Sequence, residues 1–158
     1  MNRIDRIFCH PTYQACLKEI QKLEADRIFC RHTPQHFLDV ARISWIKILE
    51  EGYSVDKSII YGAALLHDIG RHLQYLKGIP HHEASLTIAG KILPECGFST
   101  EETEAILALI ASHRDQEDPN PIHRIFYQAD KESRACYLCQ AQKDCKWSPQ
   151  KKNMTIRI

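Results

Sequence analysis

Apolar residues recur every three or four positions along most of the chain, the period of an amphipathic helix. In "HPTYQACLKEIQKLEADR", Tyr13, Leu17, Ile20 and Leu23 share one face. In "TPQHFLDVARISWIKILEEG", Phe37, Val40, Ala41, Ser44 and Ile48 share another. Thr33 reads there as an N-cap, Pro34 as the first helical residue and Gly52 as a left-handed terminator. A third helix is expected from near Asp56 to Gly70, and a fourth over "HHEASLTIAGKIL", closing around Pro94 to Gly97. The fifth, "STEETEAILALIASH", opens with Ser99 and Glu102 at capping-box spacing. "NPIHRIFYQADKESRACYLC" reads as a sixth, after the polar loop "RDQEDPNP". The tail "KNMTIRI" alternates weakly, as a short strand or an arm would. Strand signals are sparse and repeats absent. The expected architecture is all-α: a single compact bundle of about six helices with a short cysteine-containing C-terminal extension.

Some polar residues break the apolar pattern at inward positions. His36 lies one turn before Val40 on the apolar side of its helix. His67 and Asp68 follow the apolar run "AALL", and a buried imidazole and carboxylate both need partners. His81 and His82 open the fourth helix, His113 ends the fifth, and Asp130 lies four residues after Phe126 on the inner face of the sixth. Packed helices could bring these groups together. Neutral imidazole and carboxylate suit Zn, Mn, Fe or Ni, and a metal so held can activate water or polarise a phosphoryl oxygen. His32, His72 and His123 lack such context and read as surface residues, and His10, before Pro11, as part of a helix entry.

Composition narrows the picture. A length of 158 residues suits one domain with a core, and 44% apolar and 26% charged residues are ordinary for a globular protein. A net charge of +1 gives no sign of a dedicated nucleic-acid or membrane surface. "MNRIDRIFCHPTYQ" lacks the apolar core of a signal peptide, so the expected location is the cytoplasm. The seven cysteines are then expected to be mostly reduced, and their odd number argues against a pure disulfide framework.

The order His36, then His67–Asp68, then Asp130 resembles the HD-domain metal-dependent phosphohydrolases. The strings "HFLDVAR", "AALLHDIGR" and "IFYQADKESR" resemble that family's first-histidine helix, His-Asp motif and closing aspartate segment. The resemblance covers roughly residues 30 to 135. It implies an HD-like metal-binding domain over 30–135, a helix packing on it from 1–29, and the extension at 136–158. It also implies that His36, His67, Asp68 and Asp130 hold a first metal. Branches with two more histidines hold two metals. His113 matches one of these, and His81 or His82 the other. His81 is favoured because it stands four residues before Ser85, as in the two-metal branches. The branch that hydrolyses dinucleoside polyphosphates is similar, including an "ADK" near its end. The implied cofactor is a dinuclear iron or manganese centre, with Ni, Co, Mg or Zn as further candidates. The implied substrate is a small phosphorylated molecule resembling a nucleotide. On that basis Asp68 would bridge the metals, and Arg71 and Lys131 would bind phosphate, Arg in bidentate fashion and Lys as a point charge.

"CYLCQAQKDC" sets Cys136, Cys139 and Cys145 at the spacing of a metal knuckle. Cys30 is the best fourth ligand, with Cys9 and His32 as alternatives. A structural zinc and an iron–sulfur cluster both suit thiolates. Cys136 and Cys139, one turn apart, could also simply pack. Cys16 and Cys96 sit in apolar contexts and read as core residues. Three functions are compatible with the chain: a phosphohydrolase, a non-catalytic nucleotide- or metal-binding module with a redox-sensing role, and a di-iron oxygenase. The six candidate ligands, all in order, favour the first.

Overall fold

A computed structural model describes residues 1–156. Its helices are α1 (Arg3–Cys9), α2 (Pro11–Leu23), α3 (Pro34–Glu50), α4 (Lys57–Leu66), α5 (Arg71–Lys77), α6 (His81–Glu95), α7 (Thr100–Ser112) and α8 (Pro121–Glu132), followed by a 3-10 turn at Cys136–Leu138. No strand occurs among the described residues. None of their helices is long and apolar enough to cross a membrane.

The local signals act as expected. The Thr33 hydroxyl accepts from the His36 amide, Pro34 follows it, and Gly52 takes φ 74° beyond the α3 C-cap. Ser99 and Glu102 complete a reciprocal capping box on α7. Asp56 caps α4 through the Ser58 amide. Two helices, α1 and α5, escape the periodic reading because each spans only seven residues. A third difference concerns the end of α8. The helix stops at Glu132 instead of running to the cysteines. Ser133 donates its hydroxyl to the Asp130 carbonyl at 2.7 Å, a local bond that competes with helix continuation. The described part of the tail forms no strand. It is an arm anchored by Asn153, which donates to the carbonyls of Lys131 and Arg134; Arg157 and Ile158 lie outside the described residues.

Helix α3 packs against α4 and α8, α7 against α4, α6 and α8, α1 against α4, and α2 against α5. Except for Leu23, which is exposed at the end of α2, the faces read from periodicity meet in one core, in which Phe37, Val40 and Ile48 of α3 join Ile60 and Leu66 of α4, Ile106 and Ile110 of α7, and Phe126 of α8. Each such side chain contributes roughly 1.5–3 kcal/mol by leaving water. Cys16 and Cys96 are buried, as their contexts suggested.

The packing has a polar consequence. The N-terminal ends of α3 and α6 meet the C-terminal ends of α4, α7 and α8. Three helix C-termini therefore converge, and each favours a cation.

Candidate metal centre

Each central side chain is delivered by a helix end. His67 is the C-cap of α4, and Asp68 sits in the tight turn that joins α4 to α5. Ile69, fully buried, pins that turn to the core. Gly70 lets the turn approach α6: a Cβ there would stand 2.5 Å from the Ser85 nitrogen and 2.6 Å from the His81 carbonyl. Its amide donates to the Ser85 hydroxyl at 2.9 Å. The glycine read from sequence as a helix stop is therefore a contact residue that sets α6, and with it His81, against the turn.

The six side chains converge on the Asp68 carboxylate. One oxygen, Oδ2, lies 3.3 Å from His67 Nε2 and 4.0 Å from His36 Nε2. The other, Oδ1, lies 3.3 Å from His81 Nε2 and 4.0 Å from His113 Nε2. Asp130 Oδ1 closes the first group, 3.3 Å from His36 Nε2 and 3.5 Å from His67 Nε2. Two sets of donor atoms result, each within 4.8 Å: His36, His67, Asp68 and Asp130, and Asp68, His81 and His113. Asp68 belongs to both. All six residues are buried. His82 is half-buried, with Nδ1 3.4 Å from Arg114, and belongs to neither set.

The imidazoles are oriented from behind. His67 Nδ1 donates to the Ala64 carbonyl at 2.8 Å and His113 Nδ1 to the Ile110 carbonyl at 2.6 Å. His81 Nδ1 donates to Gln74 Oε1 at 2.6 Å. His36 Nδ1 lies 3.1 Å from the Ser133 hydroxyl, whose own proton goes to the Asp130 carbonyl. With Nδ1 occupied as donor, every Nε2 is turned inward, towards the carboxylates. Nε2 of His36 and of His67 is buried without a hydrogen-bond partner. His81 Nε2 and His113 Nε2 face each other at 3.2 Å. Burial lowers these two imidazoles to about 3 and about 4, so both are neutral near pH 7 and neither has a proton to share. Opposed buried acceptors are unfavourable unless a cation lies near both.

Charge tells the same story. Burial would raise Asp68 and Asp130, but the groups around them, His67 foremost at Asp68 and His36 with His67 at Asp130, together outweigh it, and both stay well below the usual carboxylate range. Arg71 adds to this at Asp68 and Lys131 at Asp130. Burial lowers His36 to about 4. His67 departs from its neighbours: burial lowers it, but the two carboxylates more than reverse this and raise it to about 9. Two ionised carboxylates and neutral imidazoles make a donor set that fits divalent metal ions, which would take the place of the His67 proton.

The sequence-derived cations lie at the rim. Arg71 Nε is 3.2 Å from Asp68 Oδ1, and Lys131 Nζ is 2.6 Å from Asp130 Oδ2. Both border a cavity of about 470 Å³ that reaches Asp68 and Asp130 and is also lined by Arg27, Arg134 and Lys146.

His32 is a correction to the sequence reading. It is buried, not superficial, with 4% of its surface exposed. Its Nδ1 lies 2.5 Å from Glu24 Oε1, and its Nε2 lies 3.5 Å from Asp68 Oδ2. Tyr75 donates to the same Glu24 oxygen at 2.6 Å. His32 lies in the loop just before the α3 N-cap, Thr33, where helical periodicity gives no signal. His72 and His123 are half-buried: His72 Nδ1 donates to the Ile69 carbonyl, and His123 pairs with Asp118. Gln74 was also missed, because it lies on the short α5.

Comparison with known proteins agrees with this arrangement. The family model described as HD domain matches residues 33–138. An uncharacterized protein of Clostridium beijerinckii is 43% identical over 156 residues, 99% of each chain. A shorter match, 39% identical over 59 residues, is to a bifunctional uridylyltransferase/uridylyl-removing enzyme of Rhodopseudomonas palustris, covering 36% of this chain and 6% of that one. A crystal structure titled as a predicted HD superfamily hydrolase, from an uncultured Thermotogales bacterium, superposes with a TM-score of 0.66 at 21% identity, over 92% of this chain and 82% of that one. The histidine–aspartate cluster, the all-helical fold and the family match together place this chain in the HD domain family.

Proposed function

We propose that this protein is a metal-dependent phosphohydrolase that cleaves a phosphoester or phosphoanhydride bond of a small nucleotide-like molecule. The observation that carries the reading is Asp68, which turns one carboxylate oxygen to each of two donor sets. His36, His67 and Asp130 would hold one metal ion with Asp68, and His81 and His113 a second. When bound, such ions supply Lewis acidity and make water a nucleophile near neutral pH.

The chain's own residues do the rest. The Nδ1 hydrogen bonds fix the imidazoles so that their lone pairs stay aimed inward. Arg71 and Lys131 stand where the phosphoryl oxygens of a substrate would lie, and the substrate would exchange for the carboxylates they pair with. Arg27, Arg134 and Lys146 extend the positive lining for further phosphates. Phe29 and Trp147, in the same wall, offer flat faces to a base.

The test is a hydrolysis assay on metal-loaded protein with mononucleotides, dinucleoside polyphosphates and a chromogenic phosphodiester, with oxygen uptake followed in parallel. The reading predicts hydrolysis without oxygen uptake, abolished by Asp68→Ala. Oxygen uptake with no hydrolysis would replace it with the oxygenase, and full hydrolysis by Asp68→Ala would refute it.

A further inference from the structure

We propose that Cys30, Cys136, Cys139 and Cys145 ligate a four-iron, four-sulfide cluster, separate from the histidine–aspartate centre. Cys30 precedes α3 and the other three follow α8, yet all four line one cavity of about 260 Å³, with Trp147 in its wall. All four thiols are free of disulfides. They also sense one another. Burial pushes the Cys30 thiol up, Arg134 pulls it down, and Cys136, Cys139 and Cys145 push it up further.

Spacing separates the two kinds of thiolate centre. A single zinc ion, with bonds of ~2.3 Å, gathers its sulfurs to about 3.8 Å from one another. Among the described residues no three of these cysteines bring their sulfurs within 4.8 Å. A cluster with an iron at each corner holds its ligands farther apart and needs a cavity between them. The cavity here is lined by the four cysteines and by the cations Arg134 and Lys152, which offset the negative charge of thiolates.

The surrounding chain has need of such a centre. Beyond α8 only Cys136, Ala141 and Asn153 are buried among the described residues, while Tyr137, Leu138, Met154 and Ile156 are exposed. The segment has almost no core of its own. It is held by hydrogen bonds such as Gln142 to the Cys136 carbonyl and Lys152 to the Gln142 carbonyl, both 2.7 Å. Joining three of its cysteines to Cys30 would tie it to the start of α3. Cys30 and Cys145 also line the cavity beside Asp68, so the cluster would form part of the wall of the substrate site.

The experiment uses the full chain, produced with added iron and purified without oxygen, with iron, acid-labile sulfide and zinc quantified. The expected result is about four sulfides per chain and a broad visible absorption band that fades on reduction. Cys139→Ser and Cys145→Ser should lose both, while Cys9→Ser, at an exposed thiol outside the cavity, and His81→Ala should keep them. The measurement on the unaltered chain stands even if a cysteine variant does not fold. A chain without sulfide after anaerobic iron–sulfide reconstitution, zinc in place of iron at these cysteines, or wild-type sulfide in Cys139→Ser would overturn the proposal.

Discussion

The histidine–aspartate centre and the cysteine segment are neighbours that share Cys30 and Cys145 along a cavity wall, and they are built in opposite ways. In the first, every ligand candidate sits on a helix or at its end, is buried, and is oriented by its neighbours. In the second, the thiols come from loops and a 3-10 turn, three of the four are half-buried, and the segment that carries three of them has few buried residues. A centre carried by packed helices is organised by the fold. A centre carried by loops must organise its own surroundings. Disrupting one should therefore leave the other largely intact, and each variant below tests that contrast.

The largest effect is expected at Asp68. Asp68→Asn weakens the shared ligand of both donor sets, so metal analysis should find both ions lost and assays should find turnover at background, with the sulfide content unchanged. Gly70→Ala comes next. Its Cβ would collide with the α6 backbone, so urea unfolding should show a loss of about 1–3 kcal/mol. Metal retention should fall first at the His81–His113 side, because the displaced element carries His81. A smaller change is expected from Gln74→Ala, which removes the hydrogen bond behind His81. Metal titration should show roughly 10–100-fold weaker binding at that half and unaltered binding at the other.

The smallest effect lies in acid stability. Glu24 is held at about 2, because hydrogen bonds from His32 and Tyr75 and the charge of His32 outweigh its burial. A carboxylate depressed in the folded state stabilises the protein above its ordinary value and loses that contribution as pH falls through the folded one. Glu24→Gln should flatten the fall in stability between about pH 4.5 and 2, as read by thermal melting at each pH. The cysteine segment should not alter that profile.

The same contrast explains what could be read from the sequence. His36, Asp130 and the His67–Asp68 pair were legible because they interrupt regular helical faces. The α3 and α7 caps were legible because their signals are local. The place of Asp68 in both donor sets is not legible in the sequence, since the meeting of five helix ends is a tertiary fact. His32 and Gln74 were lost because neither stands on a long periodic segment. His32 is buried by its pairing with Glu24, eight residues away, and Gln74 acts from a seven-residue helix. The sixth helix was drawn too long because its apolar period continues past Ser133, while the serine's bond to the Asp130 carbonyl ends it. The cysteines showed their spacing but not their depth, which depends on how the loop after α8 returns to Cys30.

The central claim is that Asp68 serves two metal ions at once. The most direct measurement is anomalous diffraction from crystals of the anaerobically purified chain, collected across the absorption edges of iron and manganese. The account predicts two peaks, one on each side of the Asp68 carboxylate, between it and the two sets of histidines. A single peak touching one Asp68 oxygen, or peaks that leave Asp68 without contact, would contradict it.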